Sequence, residues 1–224
     1  SSIIGYVETL ADDEGELDRD TRQKFLGTVL REARRLQALI SDLMSLSRIE
    51  AEKHDPPNES VCLSRVIEQA VSDAGSPGDR DRVETDLPKA GDVCVRGDRE
   101  QLEQLVRNLV DNALKYGDPA QEVTVALHRD SSDRAVLIVK DHGAGIAREH
   151  LPHLTRRFYR TDPGRSRQAG GTGLGLAIVK HIVERHRGRL DIDSVAGEGT
   201  SVTVKIPALV GAENESAINA EAPV

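Results

Sequence analysis

Tryptophan is absent, and three Tyr and two Phe are the only other large rings in 224 residues. A core of any size must therefore be filled by Leu, Ile, Val and Ala. Two cysteines, Cys62 and Cys94, are too few for a disulfide scaffold or a Cys-rich zinc site. No apolar run approaches the ~18 residues of a membrane span, and no signal-peptide pattern opens the sequence, so the polypeptide reads as soluble. Positive charge is also short. Lys and Arg number 30 against 38 Asp and Glu, and the net charge of −8 argues against nonspecific nucleic-acid binding, which needs a basic face. At roughly 100–200 residues per domain the length allows one or two domains and a sizeable core.

What is present falls into two unlike parts. Ile3, Ile4, Val7 and Leu10 have helical spacing, and an acidic turn with Gly15 follows. Asp18 or Asp20 can then cap a second helix by accepting from free backbone N–H groups. From Arg19 to Lys53 there is no Pro and only Gly27. Phe25, Val29, Leu36, Leu39, Leu43 and Leu46 follow a 3-4 spacing, widened by Leu26, Leu30, Ala33 and Ile40. A stripe that broad predicts a bundle, either a dimeric four-helix bundle or packing onto the next domain. His54 to Asn58, with Pro56 and Pro57, reads as a hinge.

After the hinge the pattern is mixed α and β. Strands are predicted near 60–63, 82–87, 92–96, 123–127, 135–140, 189–195 and 200–206, and helices near 64–74, 99–115 and 174–187. The stretch 147–172 is Arg-rich and carries glycines, which reads as a mobile cationic lid; the tail 208–224 reads as disordered. The fold class is α+β: a helical hairpin followed by an α/β sandwich.

Four blocks carry chemistry. Asn108 and Asn112 lie four apart, so both amides share one helix face, with Lys115 and Tyr116 following. An amide on an apolar helix needs polar partners; Asn112 can offer its carbonyl to a hard cation, Lys115 a charge for phosphate, and Tyr116 a flat face for a base. Each alone is equally a surface polar group or a core Tyr. Asp141-His-Gly143-Ala-Gly145-Ile146 sits at a strand end, where glycines leave backbone open to a ligand; by itself it also describes a stabilised turn. Gly170-Gly171-Thr172-Gly173-Leu174-Gly175-Leu176 opens a helix and suits an anion, yet is neither a dinucleotide fingerprint nor a P-loop. Gly197-Glu198-Gly199-Thr200 is a tight turn between strands. Between the second and third blocks stands Arg156-Arg157-Phe158-Tyr159-Arg160.

In this order the blocks resemble the ATP-binding domain shared by sensor histidine kinases, Hsp90, DNA gyrase B and MutL. The RFYR segment and the hairpin, SSIIGYVETL with LISDLMSLSRIEAEK, are similar to the core of a sensor histidine kinase, with wording like the phosphate-regulon type. The resemblance covers about residues 1–207. It implies ATP and Mg²⁺ as cofactors, with Asn112 as metal ligand and Asn108 beside the phosphates. Lys115 would touch phosphate, Tyr116 and Asp141 the adenine, and Arg157 or Arg160 the γ-phosphate. Gly143, Gly145, Ile146 and Thr200 would shape the base pocket, and Gly171, Thr172, Gly173, Leu174, Gly175 and Leu176 the phosphate loop. It further implies a homodimer through the hairpin, a response-regulator receiver domain as partner, a cytoplasmic location, and membrane attachment only through segments outside this sequence. The domains would be a hairpin over 1–54, a hinge over 55–58, an ATP-binding domain over 59–207 and a tail over 208–224.

The family's acceptor His precedes a segment like Ser1–Tyr6, and none of the seven histidines stands there. The expectation is a hairpin truncated before that His, which binds ATP without phosphorylating itself at the usual position. The alternatives are another ATPase or protein kinase of the same superfamily, or a nucleotide-binding docking scaffold without His chemistry.

Overall fold

Asp18 starts the longest element. In the computed structural model, which describes residues 2–13, 17–52, 56–75, 77–88, 93–161 and 171–209, its Oδ1 accepts from the Thr21 N–H at 2.9 Å and its Oδ2 from the Thr21 hydroxyl at 2.7 Å. That caps α2 (Arg19–Ala51), which packs against α1 (Ser2–Ala11) through Tyr6 and Phe25, their ring centroids 4.8 Å apart. The apolar stripe of α2 is divided between two faces. Leu46 and Ile49 are buried in the core of the second domain, with Leu39 packed against it. Leu26, Leu30, Leu36, Ile40 and Leu43 stay exposed, as do Ile4 and Val7 of α1. Each buried Leu or Ile is worth roughly 1.5–3 kcal/mol, against about 0–1 for an exposed pair such as Arg48–Glu52. Apolar burial, more than ion pairing, seats α2 on the domain.

The second domain is a sandwich of one main sheet and one helical layer. β1 (Glu59–Cys62) pairs antiparallel with β3 (Cys94–Gly97) as a small separate sheet. The main sheet runs in the order β2 (Val83–Asp86), β4 (Val123–Arg129), β5 (Arg134–Asp141), β7 (Gly199–Pro207), β6 (Arg189–Val195). Among the described residues, only the edge pair β2–β4 is parallel. α3 (Leu63–Asp73), α5 (Arg99–Tyr116) and α6 (Gly175–Arg185) supply the helical layer, with a four-residue helix α4 (Pro77–Arg80) between α3 and β2. Alternation along β4 turns Val123, Val125 and Leu127 inward, where they meet Leu105, Leu109 and Ile178 in one cluster. Among the described residues, the buried apolar ones are Leu, Ile, Val, Ala and the two cysteines, with no ring among them.

The structure adds three details to the sequence reading. Residues 77–80 form the short α4. Past Pro207, Ala208 bridges to Val95, and Leu209, 5% exposed, donates its N–H to the Cys94 carbonyl at 2.8 Å. The two cysteines are joined to each other. His54 and Asp55 of the hinge, Gly164, Arg165, Arg167 and Gly170 of the lid, and the tail from Val210 lie outside the described residues.

His186 caps the end of α6 and is 4% exposed. The Asp98 N–H donates to its Nε2 at 3.0 Å, so Nδ1 carries the proton and donates to the Ile182 carbonyl at 2.8 Å. A second proton has nowhere to go, and burial, ahead of other causes, pushes the imidazole below its ordinary 6.5. The neutral ring's contribution is therefore fully present above pH 6.5 and is lost as pH falls from there through the lower folded value. The melting temperature should fall between pH 7.5 and 5.5, with a shallower slope in His186→Asn. Equal slopes would remove His186 from the account.

Candidate functional site

Asp98 caps α5 by accepting from the Gln101 N–H at 3.1 Å, and Leu102, Leu105, Val106, Leu109 and Val110 bury one side of the helix. That fixes the rotation of α5 and sets Asn108 and Asn112 toward the start of α6. A Cβ on Gly175, the first residue of α6, would lie 3.8 Å from the Asn108 amide carbon and from Asn112 Nδ2. Asn108 Nδ2 is buried and has no protein partner among the described residues. A buried donor left that way is costly, which points to a polar ligand here.

At the other end of α5, Lys115 Nζ lies 5.3 Å from the Tyr116 ring centroid, and that ring is 42% exposed. Burial first, and then the charge of Arg160, hold the Lys115 ammonium below its ordinary pKa, with Asp111 opposing. Two cations thus stand near each other, as an anion site requires.

Asp141 ends β5 opposite Thr200 of β7 and is 8% exposed. Its Oδ1 accepts from the Gly143 N–H at 2.9 Å. Burial raises its carboxyl above the usual range, offset in part by N–H donation from Gly143 and Thr200. The glycines here are steric necessities. A Cβ on Gly143 would sit 2.1 Å from the Tyr116 carbonyl, and one on Gly145, at φ +64°, 2.0 Å from the Val195 carbonyl. Ser194 ties the turn together: its hydroxyl donates to the Gly199 carbonyl, accepts from the Ile146 N–H at 2.8 Å and lies 2.9 Å from the Thr200 hydroxyl.

The lid's two stems meet at Gly173, where the Phe158 N–H donates to the Gly173 carbonyl at 2.9 Å. Phe158 holds φ +62°, a strained conformation for an aromatic residue, and its ring is exposed. Arg160 lies beside Gly173, and its charge acts on Lys115. Arg157 turns the other way and pairs with Glu50 of α2. The Thr172 hydroxyl likewise donates to Asp42 of α2 at 2.6 Å.

Of the expected site residues, Asn108, Asn112, Lys115, Arg160, Gly173 and Gly175 converge on one side of α5, and Tyr116, Asp141, Gly143, Gly145, Ile146 and Thr200 on the adjoining turn. Gly171 sits at the lid's second stem. Leu174 is 1% exposed and Leu176 packs against the core, so their side chains anchor the helix start and leave its backbone as the part turned to the loop. Ser194, Asp42 and Glu50 were missed; a Ser in a strand and acids on a charged helix carry no distinguishing pattern.

A helical layer on a mixed sheet, with paired Asn amides and a Gly-opened helix facing them, defines an ATPase of the class suggested by the motif order. Residues 97–210 match the family described as histidine kinase-, DNA gyrase B- and HSP90-like ATPases, and residues 1–52 match the His Kinase A (phospho-acceptor) domain. The chain belongs to this histidine kinase-type ATPase family, and its second domain is the family's ATP-binding domain. It is 38% identical over 203 residues to the phosphate regulon sensor protein PhoR of Pseudomonas aeruginosa, covering 90% of this chain and 45% of that protein. The mycobacterial sensor histidine kinase MprB matches with a TM-score of 0.56 at 30% identity, over 67% of this chain and 97% of that one. The Acinetobacter baumannii histidine kinase AdeS shares the fold over 92% of each chain, with a TM-score of 0.67 at 24% identity. The chain spans less than half the length of the PhoR relative. Among the described residues no helix is long and apolar enough to cross a membrane.

Proposed function

We propose that this chain is the catalytic core of a sensor histidine kinase of the phosphate-regulon type. It binds Mg-ATP and passes the γ-phosphate to a histidine and then to a response-regulator aspartate. One observation carries the reading: Asn108 and Asn112, backed by Lys115 and Arg160, face the Gly-opened start of α6 with a buried amide donor unpartnered among the described residues.

The donor set suits the nucleotide. Asn112 would hold Mg²⁺ through its amide oxygen, a hard ligand for a hard cation. The ion would neutralise charge on the phosphate oxygens. Asn108 Nδ2 donates toward phosphate, and Lys115 and Arg160 add charge from the helix end and the lid. The start of α6 contributes backbone N–H groups and its dipole. Asp141 accepts from the exocyclic amine of adenine, and Tyr116 covers the base. Phosphoryl transfer needs little covalent help from protein; fixed positions and fixed charges supply most of it.

The exposed Ile4, Val7, Leu26, Leu30, Leu36, Ile40 and Leu43 suit a homodimer built as a four-helix bundle. The receiver domain of a response regulator is the second partner. The reading places the domain on the cytoplasmic side of a bacterial membrane, where ATP is available.

The test is phosphoryl transfer in trans. The chain is mixed with γ-labelled ATP, Mg²⁺ and a phospho-acceptor hairpin that contains the family's His. Acid-labile, base-stable label should appear on the hairpin and fall at least ~100-fold with Asn112→Ala, the scale of losing a preorganised charge-stabilising group. Label that persists in Asn112→Ala, or none with the unaltered chain, would overturn the reading.

A further inference from the structure

Cys62 and Cys94 are the direct partners of the antiparallel β1–β3 pair, their Cα atoms 4.0 Å apart, and they are bonded to each other. Both are 1% exposed. Together with Leu209 they form a small apolar cluster of their own, apart from the main core and from the nucleotide site. The cover is a strap. Leu209 donates its N–H to the Cys94 carbonyl at 2.8 Å, and Ala208 bridges to Val95 and donates to the Asp133 carbonyl at 2.9 Å.

We propose that Cys62 and Cys94 form a reversible redox modification site gated by the Ala208–Leu209 strap. Three features argue for it. First, the register of the strand pair puts the two sulfurs together, so the bond can open and close without a shift of either strand. Second, dithiol pairs in reducing compartments are transient and sensing more often than structural, and the proposed location is such a compartment. Third, burial disfavours thiolates, and thiolate is the attacking species, so access depends on the strap lifting.

The exchange partner is a low-molecular-weight disulfide. One cysteine thiolate attacks a sulfur of that disulfide and expels one thiolate, forming a mixed disulfide. The second cysteine, as thiolate, attacks the first cysteine's sulfur and expels the other small thiolate. Two protons leave the cysteines, two electrons pass to the small disulfide, and one S–S bond replaces another.

The site's position gives the bond a consequence. β1 begins directly after Pro56–Asn58, where the chain leaves α2, and β3 ends one residue before Asp98, which caps the helix of Asn108 and Asn112. Oxidation therefore fastens the exit from the helical hairpin to the root of the proposed nucleotide helix. Reduction leaves that fastening to the four residue pairs of the two-stranded sheet and to side-chain contacts such as Arg96 to the Asn58 carbonyl and Gln101 to Glu52. The pairing and its cover do not depend on what the nucleotide site binds; the compartment argument rests on the proposed function.

The test equilibrates the chain in glutathione buffers from fully reduced to fully oxidised, blocks free thiols with N-ethylmaleimide in denaturant, and reads mass. Two labels should give way to none in a single two-electron transition. Because the bond closes a span of 32 residues, the oxidised form should melt about 10 °C above the reduced one. Cys62→Ala should carry one free thiol or one glutathione adduct and lose the difference between buffers. Cys94→Val, which keeps the apolar volume, should do the same. Leu209→Ala should speed reduction by dithiothreitol several-fold. Two labels in every buffer, glutathione adducts alone on the unaltered chain, or equal melting temperatures would overturn the site. An unchanged reduction rate in Leu209→Ala would overturn the gate.

Discussion

Asp141→Asn should weaken ATP binding by about two orders of magnitude and leave the fold in place. The carboxylate accepts from the Gly143 N–H and the Thr200 N–H, and it has further lone pairs for a ligand amine. An amide has one oxygen. Turned toward the Gly143 N–H, it would present its NH₂ to the NH₂ of adenine, donor against donor. Losing a hydrogen bond to a charged group and leaving a donor unpaired costs roughly 3 kcal/mol, which is about 100-fold in affinity. Stability should hold or rise. Burial raises this carboxyl's pKa, so its charged form is the unfavourable one in the fold. A group raised in this way stabilises fully below its unfolded pKa and loses that contribution as pH rises through the folded value. At neutral pH, removing the charge removes the penalty. Binding titrations and melting curves on the same preparation check both halves.

The largest stability loss is expected at Gly199. It holds φ +111°, and an added Cβ would lie 2.1 Å from the Asp141 carbonyl and 2.8 Å from the His142 Cα. Both obstacles are backbone, held by the β5–β7 ladder, so neither can give way. Left-handed strain adds roughly 1–3 kcal/mol. Gly199→Ala should cost at least ~3–4 kcal/mol in all, a drop of about 10 °C in melting temperature. Gly197, two residues earlier, is the control. Its φ is +88°, but nothing lies within 4 Å of an added Cβ. Gly197→Ala should cost only the conformational part, about 1–2 kcal/mol. If the two variants melt alike, close approach of the turn to Asp141 is not what demands the glycine.

These contrasts show what a sequence can and cannot disclose. The cap of α2, the alternation of β4 and the run of apolar residues on α5 are local patterns, and each was legible. The motifs proposed to bind nucleotide are local too: Asn at i and i+4, Asp at a strand end and glycines before a helix. Partnering across the chain was not legible. Whether Leu43 or Leu46 faces the second domain depends on how α2 lies against α6, and both residues fit the same stripe. Thr172 with Asp42 and Arg157 with Glu50 join residues more than 100 positions apart, and an acid on a solvated helix looks the same whether or not it has such a partner. The opposition of Cys62 and Cys94 follows from the register of two short strands, which a count of cysteines does not contain. Leu174 and Leu176 stand inside a ligand-like motif yet serve the core, since a helix that presents its start to a ligand must be anchored by the residues beside it. The left-handed Phe158 had no signal either, because neither Gly nor Asn marks the position.

The central claim is that α5, the Asp141 turn and the start of α6 form one Mg-ATP site. Calorimetric titration of the unaltered chain with ATP, with and without Mg²⁺, tests it most directly. The account predicts one site per chain, binding that strengthens with Mg²⁺, and GTP far weaker than ATP. Binding indifferent to Mg²⁺ and equal for ATP and GTP, or no binding to a folded chain, would contradict it.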